Sequence, residues 1–412
     1  MQSSQQFLAQ EKGTVFLNRQ FLYLFISAIF SAPGYYVYLI GVEWLMLSIS
    51  DDRFFFGMLF LSASIPRLIF MTTGGILADH INQRTILMWS DITRAFLVLL
   101  LLVLIWRDSI AIWHLITLAA LFGLSDAFSH PAINTLTAMI LDEKDLQQGN
   151  SLIQVTTQIS PVLGPVVGGS MIYFLGFMGV FTVAFTMMVV AALIVMRIKL
   201  NPVHDDKHKE GFWNEFREGI QYVKQREVLR SIMIMAFFLN FFVTGPMSLG
   251  IPIIVKDVFG ANALGLTTLE VSLGGGALFG AFVLTSIKNL KRPGVVMLGC
   301  IAAFGGLYAL TGLALNLYVN AGLLVGIGLL LQFVNIPLMT MVQRTTDKHM
   351  LGRVISLLMT VSTGLVPVSY FVTSLLIGIG VDIQLITMIG GSIVLLLAIM
   401  HVNNRTIMNY RY

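Results

Sequence analysis

Charge is what this chain has little of: Asp, Glu, Lys and Arg together make up 11% of its 412 residues, against 56% hydrophobic residues. That balance excludes a water-soluble globular fold, and apolar runs of 18 or more residues recur along nearly the whole length, the pattern of a polytopic α-helical membrane protein. Cysteine is almost absent. The single Cys300 lies inside an apolar run, which excludes a disulfide framework and a cysteine-based metal site. Also missing are a Gly-x-x-x-x-Gly-Lys phosphate loop, a cluster of His, Asp and Glu near one membrane interface, and a nucleophile beside an evident base. Neither ATP hydrolysis nor enzymatic work on lipid is expected, and no cofactor or metal is called for. The polar stretch 1–12 has no basic region followed by a short apolar core, so no removable signal peptide is expected.

What is present organises itself into twelve candidate spans, at 21–48, 54–78, 85–106, 110–141, 151–175, 177–196, 231–255, 267–287, 294–312, 317–342, 354–378 and 385–402. They predict an all-α membrane protein with an N-terminal six-helix bundle over 1–196, a linker over 197–230 and a C-terminal six-helix bundle over 231–412. Alternate loops hold 20 Lys and Arg on one side and 3 on the other. Cytoplasmic loops retain these residues, so both termini are expected in the cytoplasm of a cell whose inner membrane the chain crosses. Topology thus explains the net charge of +4, and no nucleic-acid partner is implied. Within the linker, Phe212, Phe216, Ile220 and Val223 recur at helical spacing among polar residues, which predicts an amphipathic helix along the membrane surface or under the bundle.

The two halves share punctuation. Asp126, Pro131 and Ile133 are matched 206 positions later by Gln332, Pro337 and Met339, while Leu77, Asp79 and Arg84 are matched at 207 by Leu284, Ser286 and Lys291. Repeats of this kind are the construction of transporters. Acids of the first half are replaced by neutral residues at the matched positions, so ion coupling is expected in the first half.

Five motifs carry a family resemblance. Gly75-Ile-Leu77-Ala78-Asp79-His80-Ile-Asn82-Gln-Arg84 resembles the loop signature of the major facilitator superfamily. Ser160-x-x-x-Gly164-Pro165-x-x-Gly168-Gly169 resembles the motif of proton-coupled antiporters and drug exporters. Asp91-x-x-Arg94, Phe128-Ser-His-Pro131-Ala132 and Leu351-Gly352-Arg353-Val354 look like the branch holding macrolide-efflux proteins and the enterobactin exporter. The resemblance implies two pseudo-symmetric bundles that alternate access, with Gly75, Asp79, Arg84, Gly352 and Arg353 closing the cytoplasmic side and the motif from Ser160 to Gly169 sealing the other. Where many antiporters of this kind carry an arginine, nine residues before the proline of the fourth span, this chain has Phe122.

The most informative residues are charges at membrane depth, each costing roughly 2.5 to 3.5 kcal/mol on insertion scales. At about 1.5 Å per residue, Arg67 lies roughly 18 Å and Asp126 roughly 21 Å into the membrane, so the two are expected at one level as partners. Asp91 and Arg94, three apart on one helix, are expected to neutralise each other. A carboxylate that gains and loses an arginine partner as helices move can release and load a proton. Asp126 is therefore the first candidate carrier, with Glu43 the second and His130 a candidate relay. Tyr35, Tyr36, Tyr38, Phe238, Asn240, Phe241, Gln332 and Asn335 are expected to line a cavity whose aromatic walls suit adaptable, amphipathic ligands. The expected function is secondary export of amphipathic organic compounds, macrolide-like drugs among them, in exchange for protons, by a monomer in the bilayer. The alternatives are a siderophore or other metabolite exporter with different or no proton coupling, in which Arg67 attracts an anion, and, from another class, a membrane enzyme acting on lipid.

Overall fold

The computed structural model describes residues 14–80, 82–199, 212–286, 292–347 and 350–402, with the side chains of 14, 71–80, 130, 143–144, 212–216, 285 and 402 outside that description. Every element in these residues is helical, as an apolar solvent demands: with no water to take up backbone N–H and C=O groups, they pair within the segment. After the single turn α1 (Thr14–Leu17) come α2 (Arg19–Ile49), α3 (Arg53–His80), α4 (Gln83–Trp106), α5 (Ile112–Ile140) and α6 (Glu143–Val195). The linker contributes α7 (Phe212–Gln225), and beyond it lie α8 (Glu227–Leu239), α9 (Gly245–Ile253), α10 (Ala263–Ser286), α11 (Pro293–Thr311), α12 (Leu317–Thr345), α13 (Leu351–Gly364), α14 (Val366–Gly378) and α15 (Ile383–Val402).

Eleven stretches among the described residues are long and apolar enough to cross a membrane. The difference from twelve lies in α6, whose 53 residues are two helices joined at a kink, where Gly176 leaves the helical region at φ 66° and ψ −165°. Only glycine adopts that conformation at little cost, and it divides α6 into two membrane crossings. Pro165 does not end the helix. Large apolar side chains that face outward, such as Trp106, Phe174, Phe282 and Tyr318, mark lipid-facing surface in a chain of this kind.

Contacts divide the chain into two units, Met1–Leu45 with Ser62–His204, and Met46–Leu61 with Asp205–Tyr412. The hairpin between α2 and α3 therefore groups with the C-terminal helices. In the first unit, Phe21, Ala28, Leu141 and Ile153 form one core cluster and Leu24, Leu87, Leu136, Val195 and Ile198 another. Close helix contact is set by small residues. A Cβ on Gly123 of α5 would sit 1.9 Å from the Ala63 carbonyl oxygen of α3, and one on Gly164 of α6 would sit 2.1 Å from Tyr36 Cβ of α2.

The second unit holds α7 against α13. Tyr222 donates its hydroxyl to Asp347 at 2.9 Å, Arg226 pairs with Asp347 at 2.8 Å, and Arg353 pairs with Glu218. Burial raises the proton affinity of the Tyr222 hydroxyl above the usual tyrosine value, the Asp347 backbone N–H opposing that shift. The α2–α3 hairpin is fixed in the same unit by a bidentate pair, Arg53 to Asp257, at 2.6 and 2.7 Å. Between α8 and α9 the ladder widens into a π turn over Asn240–Thr244. Its cause is an inserted hydroxyl: Ser369 of α14 donates to the Phe241 carbonyl at 2.6 Å and accepts from the Gly245 N–H at 2.8 Å, in place of the bond those two groups would make in an α-helix.

Ser369→Ala removes both bonds from a buried site and is expected to cost about 1–3 kcal/mol. Thermal unfolding in detergent checks it, with Ser392→Ala, whose exposed hydroxyl bonds only to its own helix, as the neutral reference. Equal melting temperatures for the two variants would refute the inserted-hydroxyl account.

Candidate functional site

Three neighbouring helices of the first unit each send charge to one place. The close approach of α3 and α5 at Ala63 and Gly123 lies about one turn from Arg67 and Asp126, and it brings Arg67 Nη1 to 3.1 Å from Asp126 Oδ2. From α4, Arg94 Nη2 donates to Asp126 Oδ1 at 2.7 Å and to Ser129 Oγ at 2.9 Å. Asp126 is therefore held between two guanidinium groups. Arg94 Nη1 lies 3.6 Å from Asp91 Oδ1, which accepts a 2.7 Å hydrogen bond from Ser31 of α2. The same-helix pair expected between Asp91 and Arg94 is thus the looser of the two contacts Arg94 makes.

Exposure grades the cluster from one side to the other. The Arg67 side chain is 41% exposed and Asp126 17%, whereas Arg94 is 5% and Asp91 0% exposed. Two acids and two bases cancel in charge, which is how such groups persist at membrane depth. Satisfaction is incomplete on the buried side: Asp91 Oδ2 and Arg94 Nε have no hydrogen-bond partner among the described residues. Phe122, in place of the antiporter arginine, stacks on Tyr38 at 4.1 Å between ring centroids, and the Arg94 guanidinium lies 5.7 Å from its ring. A cation thus reaches this region from α4 instead of α5.

The remaining candidates separate into distinct groups. Tyr35 packs on Phe122 at 5.8 Å and lies within electrostatic reach of Asp126, Arg67 and Arg94. Tyr38 is fully packed core, not the cavity surface expected of it, because its ring is sandwiched by Phe122 and Phe181. Tyr36 covers Gly164, and Glu43 is buried on α2. In the other unit, Phe238 stacks on Phe242 and borders a small apolar cavity with Met235, Ile301 and Val394. Phe241 meets Phe242 edge to face, and Asn240 donates to Ala236 of its own helix, which leaves its amide less free for a ligand. Gln332 is half-buried, and Asn335 is exposed.

In the antiporter-like motif, Ser160 is buried and donates to Thr156, while Gly164, Pro165, Gly168 and Gly169 are buried where α6 runs along α2 at Tyr36, Val37 and Ile40. The side chains of Gly75, Asp79 and His130 lie outside the described residues. Arg84 donates to the carbonyl oxygens of Val195 and Met196 and so caps the C-terminal end of α6. Gly352 is open, and Arg353 turns to Glu218. Glu270 on α10 is a membrane acid that the comparison of the two halves does not single out. Its signal was a glutamate seven residues into an apolar helix; comparison with the acids of the first half hid it because position 270 matches none of them.

A model of the Major Facilitator Superfamily matches residues 24–370. Among curated relatives, the uncharacterized transporter YvqJ of Bacillus subtilis is 22% identical over 341 residues, which is 81% of this chain and 80% of that protein. Macrolide efflux protein A of Enterococcus faecalis is 21% identical over 301 residues, 71% of this chain and 92% of the relative. The crystal structure of the nucleoside transporter NupG superposes with a TM-score of 0.73 at 14% identity, over 95% of this chain and 100% of NupG, which shows a common fold.

Arg94 serves two acids and is buried, so Arg94→Ala is expected to destabilise the protein by about 3–5 kcal/mol, the cost of stranding buried charge. Arg67→Ala, at the exposed edge, should cost clearly less. Unfolding midpoints of the purified variants in detergent decide this, and a larger loss for Arg67→Ala would contradict the grading.

Proposed function

The chain belongs to the Major Facilitator Superfamily, and on that footing we propose that it exports amphipathic organic molecules across the cytoplasmic membrane in exchange for protons. The family and its fold make it a multi-pass membrane transporter and not an enzyme. Export is supported by the similarity to macrolide efflux protein A. An orientation with both termini in the cytoplasm is supported by the 20 to 3 division of Lys and Arg between the two sets of loops. In this reading the bundles 1–196 and 231–412 alternate access around the linker 197–230, as a monomer, with Gly75, Asp79, Arg84, Gly352 and Arg353 on the cytoplasmic gate and the α6 motif on the opposite one.

The observation that carries the coupling is the double hold on Asp126. Arg94 has two carboxylates within reach, and the atoms left unpartnered, Arg94 Nε and Asp91 Oδ2, belong to the contact it makes less closely. A small rotation of Arg94 toward Asp91 satisfies both atoms and withdraws one cation from Asp126. Arg67, at the exposed edge, withdraws the other. Stripped of both, Asp126 takes up a proton from the side then open; return of the guanidiniums expels it to the opposite side as the bundles rock. Two discrete partners for one arginine provide the bistability that alternating access needs. Glu43, buried on α2, is the second candidate carrier.

A metabolite exporter without proton coupling is favoured by one fact, the 41% exposure of Arg67, which lets it attract an anion. Everted vesicles with an imposed pH gradient separate the readings, with erythromycin as the probe. Proton release on addition of erythromycin, lost in Asp126→Asn while the variant still reaches the membrane, is the expected result. Undiminished coupling in Asp126→Asn would remove Asp126 as the carrier and pass the role to Glu43.

A further inference from the structure

Glu270 stands on the inner side of α10. It precedes Phe279 by nine residues, two and a half turns, so the two side chains leave the helix in opposite directions. Phe279 and Phe282 are 56% and 69% exposed and mark the outward face. Leu266, one turn before Glu270, is fully buried, and Leu273 and Ala277, which continue the same stripe, meet Gly328 of α12 at backbone distance. Seven residues into the helix, Glu270 lies roughly 10 Å from its start. It is half-buried and, unlike Asp91 and Asp126, has no basic partner and no hydrogen bond among the described residues.

Parallel packing tells what else lies at its level. Gly276 and Gly280 of α10 meet Val325 and Leu329 of α12, a constant offset of 49 residues that brings Glu270 to the level of Val319 and Asn320. Asn320 is 2% exposed; its Nδ2 donates to the Thr311 carbonyl at 3.1 Å, and its Oδ1 has no partner among the described residues. Asn320 lines a small cavity together with Tyr308, Thr387 and Leu269, the residue adjoining Glu270. One level of the second unit thus carries an acid without a counter-ion, a buried acceptor without a donor and an aromatic ring. All three attract positive charge, and the described residues supply none.

We infer that Glu270 is a recognition site for the cationic group of an amphipathic substrate, an organic ammonium or comparable monovalent cation, whose apolar body rests on the neighbouring leucines. The inference rests on the exporter reading only for the ligand's amphipathic character; the charge requirement comes from Glu270 itself. Partial exposure admits such a ligand to Glu270. Asp91 is sealed, and Asp126 is already occupied by two guanidiniums.

Equilibrium binding to the purified full-length protein tests this without any transport step. The probes are tetraphenylphosphonium, a permanent cation, and chloramphenicol, an uncharged amphiphile. Glu270→Gln should weaken tetraphenylphosphonium binding by about tenfold or more, corresponding to about 1.4 kcal/mol, and leave chloramphenicol within about twofold. Glu270→Asp should recover most of the cation affinity. Absence of tetraphenylphosphonium binding to the wild type, an unchanged affinity in Glu270→Gln, or equal losses for both probes would overturn the site. Binding that passes this test in a protein that transports nothing would refute the exporter reading and leave the site standing.

Discussion

A carboxylate shared by two guanidiniums inside an apolar bundle is the constraint around which the first half of this protein is built. Asp126 is tolerated at membrane depth because Arg67 and Arg94 neutralise it, and Arg94 is tolerated because Asp91, fastened by Ser31, balances it in turn. Four charges cancel only if α3, α4 and α5 approach within the reach of an arginine stem. The missing side chain of Gly123 permits that approach, and the aromatic floor of Phe122 and Tyr38 keeps Arg94 from facing lipid. Packing and electrostatics are therefore one design here: a Cβ at position 123 or a neutral residue at 94 would disturb the same arrangement.

The second half solves a different problem. Its helices are drawn together at small residues, with Gly276, Gly280 and Gly328 joining α10 to α12, and its irregular stretch between α8 and α9 is held open by the Ser369 hydroxyl. Charge appears at its margins, where Arg53 meets Asp257 and where the linker helix α7 is tied by Tyr222, Arg226 and Glu218 to α13 and the segment before it. Glu270 is the exception, an acid without a counter-charge among the described residues. The asymmetry between the halves is physical: the first keeps its membrane-depth charges paired with one another, whereas Glu270 in the second has no basic partner among the described residues.

Much of this was legible in the sequence, for reasons that differ by element. Span positions follow from the length of apolar runs, since a bilayer admits no shortcut, and the linker helix follows from the spacing of Ile220 and Val223. The level shared by Arg67 and Asp126 follows from counting residues along straight helices. Arg94 joining that pair was not legible, because spacing along α4 pointed to Asp91 and nothing in one helix states what a neighbouring helix offers. The π turn at Asn240 was hidden for the same reason: its cause, Ser369, is more than a hundred residues away. Tyr38 was misplaced into a cavity because an aromatic ring at helical spacing reads alike whether it meets ligand or Phe122. Glu270 was missed through comparison with the first half, where nothing at the matching position suggests an acid.

The central claim is that Asp126 exchanges a guanidinium hold for a proton during transport. Infrared difference spectroscopy of the reconstituted protein, recorded on addition of erythromycin, observes that exchange at the carboxyl group itself. The account predicts a change in the protonated-carboxyl band that disappears in Asp126→Asn and persists in Glu43→Gln. A band that persists in Asp126→Asn, or a wild type whose carboxyl spectrum does not respond to the substrate, would contradict it.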